Sequence, residues 1–373
     1  MAAAALLLAC TRPQRYLSGI VLADIIPENV YQAMPSWLLW VFLAIALRFL
    51  AFGADRLVVG AIGLAGALGI STVIIGATVV SLGTTTPEAF VSVGAAFRGK
   101  PGLALGNGVG SIICDTALIF GLGLCLTRLP HDRFLLHRQG ILYLVFVGML
   151  AAVIFLLAGI AGGFEKVTIP RWVGAGMLVL LGVYMLLSVR WSGRHPETLP
   201  EEVKAAARGE RRAGRGLVDC LMLLEGLAIV YVTSDMLIGS VSHVCRRYGV
   251  PPDVLAVTVV AFGTSLPELV TAIASIVRGH PKLLIGNIIG ADILNVLFVI
   301  GASAAARPLK VPVTFFYLHV PVMLLSVGLL GAYIFTSRGT FKRWQGVPLL
   351  AVFAAYYVVM FVLVKQGVIT LNG

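Results

Sequence analysis

Charge is what this chain of 373 residues has least of: Asp, Glu, Lys and Arg make up 12% of it, against 59% hydrophobic residues. A soluble domain needs more polar surface than that, and a mean hydropathy of +0.97 belongs to a chain that crosses a bilayer many times. Cysteine is scarce too. Cys10, Cys114, Cys125, Cys220 and Cys245 are scattered, which excludes a disulfide framework and a thiolate metal site. His131, His137, His195, His243, His280 and His319 are equally dispersed, so no transition-metal constellation is expected. The H-E-x-x-H and G-x-S-x-G patterns are absent, no paired-Asp motif replaces them, and neither an enzyme nor a cofactor is predicted. The net charge of +11 would suit a nucleic-acid partner, but its Lys and Arg lie mostly in short loops between apolar runs. Lipid head groups and cytoplasmic flanks account for that pattern, and no nucleic-acid motif is present.

What the chain does have, it has twice. Thr78 to Gly121 reads TVVSLGTTTPEAFVSVGAAFRGKPGLALGNGVGSIICDTALIFG, and Thr258 to Gly301 reads TVVAFGTSLPELVTAIASIVRGHPKLLIGNIIGADILNVLFVIG, offset by 180 residues without a gap. Gly83, Thr84, Pro87 and Glu88 match Gly263, Thr264, Pro267 and Glu268; Asn107 and Gly110 match Asn287 and Gly290; upstream, Asp55 matches Asp235. Duplication with interrupted apolar segments at matching places is a transporter signature.

Each copy sets an acid inside an apolar run beside Gly, Pro, Ser and Thr. Pro87 and Pro267 have no N–H, so the helical bonds to the carbonyls of Gly83 and Gly263 are lost. A bare carbonyl in hydrocarbon is tolerated only where it lines a polar cavity or binds something. On helical spacing Ser81, Thr84, Thr85 and Glu88 share one face, as do Ala261, Thr264, Ser265 and Glu268. The bland alternative is a pair of Pro-kinked helices with neutral, buried Glu. Oxygen-rich faces centred on carboxylates fit hard cations better. At a common distance downstream lie Gly110-Ser111-Ile112-Ile113-Cys114-Asp115 and Gly290-Ala291-Asp292-Ile293-Leu294-Asn295. If the copies pack about a pseudo-two-fold axis, Glu88, Asp115, Glu268 and Asn295 converge, and three close carboxylates demand cations or protons. Structural roles are expected for Asp292, Asn107 and Asn287, and a local ion pair for Glu225. Asp55 and Asp235 are expected to orient the long helices or flank the pathway.

Apolar spans fall near 36–68, 71–97, 102–126, 139–161, 168–190, 217–245, 251–277, 282–304, 311–335 and 344–364. The expected fold is an all-α polytopic membrane protein of ten transmembrane helices in two five-helix repeats. An odd number per repeat makes the repeats inverted. Residues 36–190 form the first repeat and 217–365 the second, with an N-terminal segment 1–35, a linker 191–216 and a tail 366–373. Leu7-Leu8-Ala9-Cys10 looks faintly like a lipoprotein cleavage box, but the run before it is short and has no basic flank, so no signal peptide is expected. Most of the excess of basic loop charge sits in the linker, which is therefore placed in the cytoplasm with both termini outside.

The paired G-T-[ST]-x-P-E and G-N-x-x-G-[SA] elements resemble the alpha repeats of the sodium/calcium exchanger family, of prokaryotic type, within the wider cation/calcium antiporters. The likeness covers roughly residues 50–126 and 230–305. It implies a multi-pass protein of a prokaryotic inner membrane that exchanges calcium for sodium by alternating access. The partners implied are calcium and sodium ions and the lipid bilayer, with no protein partner evident. Glu88 and Glu268 would be the central ligands both ions share. Thr84, Thr85, Thr264, Ser265 and Ser111 would supply hydroxyl or carbonyl oxygens to flanking sodium sites, and Ser81 and Ala261 backbone carbonyls. Two departures stand out. The family pattern has Asn in the first repeat and Asp in the second at the fourth ligand, whereas this chain has Asp115 and Asn295. Ala291 also replaces an expected Ser, which bears on sodium coupling. A cation/proton antiporter on the same scaffold is the alternative, and a passive cation channel a more distant one.

Overall fold

The structure is a computed structural model, and it describes residues 28–68, 71–97, 99–130, 133–192, 215–247, 261–337 and 339–366. It is a helical bundle. In chain order the main elements are α1 (Ser36–Leu68), α2 (Val73–Thr84), α3 (Thr86–Phe97), α4 (Pro101–Leu126), α5 (Arg133–Ala161), α6 (Arg171–Ser192), α7 (Arg215–Arg247), α8 (Ala261–Thr264), α9 (Leu266–Val277), α10 (Pro281–Ala306), α11 (Phe315–Thr336) and α12 (Gly346–Lys365). Among the described residues 8 helices are long and apolar enough to cross a membrane, and the bent pair α2–α3 makes up to 9. The expected span at 251–277 is described only from residue 261, and the linker and residues 1–27 lie outside the described residues.

The duplication in sequence is a duplication in structure. α3 and α9 cover equivalent residues, and so do the short helices Ser81–Thr84 and Ala261–Thr264 that precede them. Gly99 and Gly279 turn the chain after them with φ of 74° and 75°, a left-handed conformation that a side chain would resist. α4 and α10 then start on Pro101 and Pro281, where a missing N–H costs nothing. Each carries a π-helical turn at the same place, Cys114–Phe120 and Asn295–Ile300.

α10 is buried almost from end to end, at the centre of the bundle. The last helix of each half packs on the other half. A Cβ on Gly301 would lie 3.0 Å from Cβ of Met177 in α6, and one on the equivalent Gly121 would lie 3.1 Å from Cβ of Leu349 in α12. Small residues let these backbones approach, as is usual where lipid gives helices no hydrophobic reason to associate. The loops repeat the exchange. Thr168–Ile169 pairs antiparallel with Leu309–Lys310, and Pro130 bridges Thr340. These short ribbons correct the all-α expectation, and each gives loop backbone groups a partner from the other half.

α1 and α7 form a pair of their own. Glycines at their contact, Gly60 and Gly226, face backbone atoms of the opposite helix. The ion pair Arg56–Glu225, 2.6 Å, ties them at the surface, so Glu225 pairs across the halves rather than locally. Asp55 receives both arms of Arg278, at 2.9 and 2.7 Å, which fastens α1 to the end of α9.

Candidate cation site

The expected span at 71–97 is broken. A π turn at Gly76–Val80 precedes the short helix Ser81–Thr84, the run stops at Thr85, and α3 leaves at an angle of 43°. Pro87 and Pro267 stand just after the two breaks, where neither can donate to a carbonyl four residues back. The breaks turn hydroxyls and carboxylates inward. Ser81, Thr84, Thr85 and Glu88 are buried, and so are Ser265 and Glu268. Thr264 is half-buried. Ala261 opens the short helix α8. Ser111, Asp115 and Asn295 are buried on α4 and α10.

The two halves meet through these groups. Thr85 donates to Oε1 of Glu268 at 3.3 Å. Thr264 donates to Oδ1 of Asn107 at 3.2 Å, and Thr84 reaches Oδ1 of Asn287 at 3.5 Å. Asn107 and Asn287 thus cross-link the broken helices, the structural part expected of them. Asn107 also donates to the Glu88 carbonyl at 3.2 Å and to Ser92 at 2.9 Å. Ser81 turns its hydroxyl to the carbonyl of Thr78, and its own carbonyl accepts from Thr85 N–H and the Thr84 hydroxyl. A cation on that carbonyl would compete with the Thr84 hydroxyl.

In the buried interior the structure leaves oxygen atoms without protein partners. Both carboxylate oxygens of Glu88, both of Asp115, Oε2 of Glu268, Oδ1 of Asn295 and the hydroxyls of Ser111 and Ser265 are buried and accept or donate no hydrogen bond. Glu88 and Asp115 lie within electrostatic reach of Glu268, and Ser265 sits beside Asp115. No Lys or Arg is buried among the described residues. Unpaired, like-charged and buried, such a set is costly unless positive charge comes from outside the protein. Among the described residues no three His, Cys, Asp or Glu side chains group tightly enough to hold a metal ion by themselves. Hydroxyl and carbonyl oxygens must therefore complete any coordination shell, as they do for hard cations.

Several polar residues escaped the sequence reading. Thr116 donates to Oδ2 of Asp292 at 2.6 Å and lies 2.7 Å from the hydroxyl of Tyr143 on α5. Tyr184 on α6 donates to the carbonyl of Ala77, inside the first π turn, at 2.9 Å and lies 3.2 Å from Oε1 of Gln139, and Gln139 donates to Ser188. The signal was there: Gln139 and Tyr143 stand four residues apart, hence on one face, at the head of a run to Ala161 that is otherwise apolar.

A multi-pass helical bundle with a buried, acid-lined centre and duplicated broken helices is an integral membrane ion-transport protein of the antiporter class. The chain belongs to the sodium/calcium exchanger family: the family model described as sodium/calcium exchanger protein matches residues 38–190 and 219–362. Among relatives, the sodium/calcium exchanger MaX1 of Methanosarcina acetivorans is 29% identical over 353 residues, which is 86% of this chain and 98% of that protein. The inner membrane protein YrbG of Escherichia coli is 30% identical over 285 residues, 76% of this chain and 84% of its own length. Among solved structures, the sodium-calcium exchanger NCX_Mj soaked with 10 mM sodium superposes with a TM-score of 0.72 at 25% identity, covering 88% of this chain and 99% of that one.

Proposed function

We propose that this chain exchanges calcium for sodium across a prokaryotic inner membrane by alternating access, through ten spans in two inverted five-helix repeats. The ions would share one site between the repeats. Glu88 and Glu268 would hold either ion at its centre, with Asp115 and Asn295 beside them. Thr84, Thr85, Thr264, Ser265, Ser111 and the backbone at Ser81 and Ala261 would serve the flanking positions. The observation that carries this reading is the set of buried, partnerless oxygens on Glu88, Asp115 and Glu268, with no buried Lys or Arg among the described residues. Exchange requires that the empty site not cross. Three uncompensated carboxylates supply that rule, since moving each past an apolar gate costs about several kcal/mol. The pair α1–α7, held together at Gly60 and Gly226, is suited to slide or rock as one body beside the site. One observation favours protons as the coupling ion instead: Ala291 is buried without a hydroxyl where a sodium ligand is expected. Calcium uptake by purified protein in liposomes, driven in turn by sodium, proton and potassium gradients, decides between them. Uptake that needs no counter-ion gradient, at rates far above a carrier's, would make the protein a channel.

A further inference from the structure

Thr116, like Thr85, turns its hydroxyl across to the other half of the bundle. Thr78, Thr233, Ser303 and Ser326 each turn back onto the carbonyl four residues earlier in their own helix, at 2.6 to 2.9 Å. Thr116 instead spends its proton on Asp292 of the other half, at 2.6 Å. Its single proton is used there, so the contact with Tyr143, 2.7 Å, is a bond that Tyr143 donates. The chain runs from Tyr143 on α5 through Thr116 on α4 to Asp292 on α10, and all three residues are buried. Thr116 lies inside the π turn Cys114–Phe120, directly after Asp115. A π turn is wider than an α turn and its register is less fixed by its own backbone. The second half has nothing comparable: the equivalent positions are Val296, Ile112 and Met323. The half that carries the acid Asp115 has the clamp, and the half that carries the amide Asn295 lacks it.

We infer that Asp292, Thr116 and Tyr143 are positioning residues that hold the π turn so that the Asp115 carboxylate faces the calcium site. The inference rests on the exchange reading for the identity of the ion. Asp292 acts here through its hydrogen bond, not through its charge, so Asn in its place, which can still accept from Thr116, keeps the function.

The test is calcium dependence of uptake in proteoliposomes, beside calcium-dependent thermal stabilisation in detergent. Thr116→Val should raise the calcium concentration for half-maximal uptake about three- to tenfold, the scale of one ordinary net hydrogen bond, and leave the maximal rate within about twofold. Thr116→Ser and Asp292→Asn should stay near the wild type, and Tyr143→Phe should show a smaller shift in the direction of Thr116→Val. Placed on Asp115→Asn, Thr116→Val should add nothing. The inference is overturned if the Thr116→Val loss persists in full on Asp115→Asn, or if Asp292→Asn weakens calcium as much as Thr116→Val does. Should Thr116→Val not fold, Tyr143→Phe carries the same comparison. A wild type without sodium-driven uptake defeats the exchange reading alone, because thermal stabilisation by calcium still ranks the variants. A wild type that calcium does not stabilise defeats both.

Discussion

Thr264 of the second half donates to Asn107 of the first at 3.2 Å, and the equivalent residues, Thr84 and Asn287, meet at 3.5 Å in the opposite sense. Two such contacts, related by exchange of the halves, are what a pseudo-two-fold packing of the repeats would produce. The pair is not symmetric in strength. Asn107 has Ser92 and the Glu88 carbonyl as further partners, whereas the amide nitrogen of Asn287 has none, and Ala272 stands where Ser92 has its equivalent. Asn107→Ala should therefore destabilise the protein more than Asn287→Ala. Each lost bond is worth roughly 0.5–1.5 kcal/mol net. Unfolding midpoints of the two variants in detergent give the order, and an equal or reversed order would mean that these bonds do not set it.

The proposed inversion of the repeats predicts opposite sides for equivalent loops. Lys100→Cys and His280→Cys sit just before the Pro that starts α4 and α10. A membrane-impermeant thiol reagent should label one from outside and the other only from within. Labelling of both from the same side rules out inversion.

Glu88→Gln and Glu268→Gln keep the shape of the side chain and remove its charge. Both should abolish calcium uptake in folded protein, because each takes away one of three carboxylates that no buried Lys or Arg among the described residues balances. Normal calcium flux in a folded Glu268→Gln variant would remove the shared site.

Asp115 and Asn295 each lie 27 residues after the Glu of their repeat. If both face one ion, the total charge matters more than which half carries it. Asp115→Asn alone should weaken calcium more than sodium, since the divalent ion gains more from each charge. Asn295→Asp alone should make transport more dependent on pH. The double variant should recover much of the calcium flux, and the coupling term of the four-protein cycle is the measurement. Additive losses would place the two residues in separate sites.

Ala291→Ser returns the hydroxyl that the family pattern leads one to expect. It should lower the sodium concentration for half-maximal exchange by several-fold at most, given about 0.5–1.5 kcal/mol for one such group. Sodium titration of calcium uptake reads it. Uptake driven by protons alone in both forms would favour the proton reading.

The sequence determined the parts that local rules govern. Hydropathy located the long spans, and Pro87 and Pro267 located the breaks, because a missing N–H is a property of a single residue. Repetition at a fixed offset picked out Glu88, Glu268, Asp115 and Asn295, since a carboxylate in an apolar run carries its own signal. What lies between elements far apart in the chain was decided only by tertiary structure. Thr85 against Glu268, Arg56 against Glu225, and Thr116 between Tyr143 and Asp292 join residues 27 to 183 positions apart, and nothing local specifies such partners. The wide turns at Gly76–Val80, Cys114–Phe120 and Asn295–Ile300 were also hidden, because one extra residue in a helical turn leaves the hydropathy of the segment unchanged.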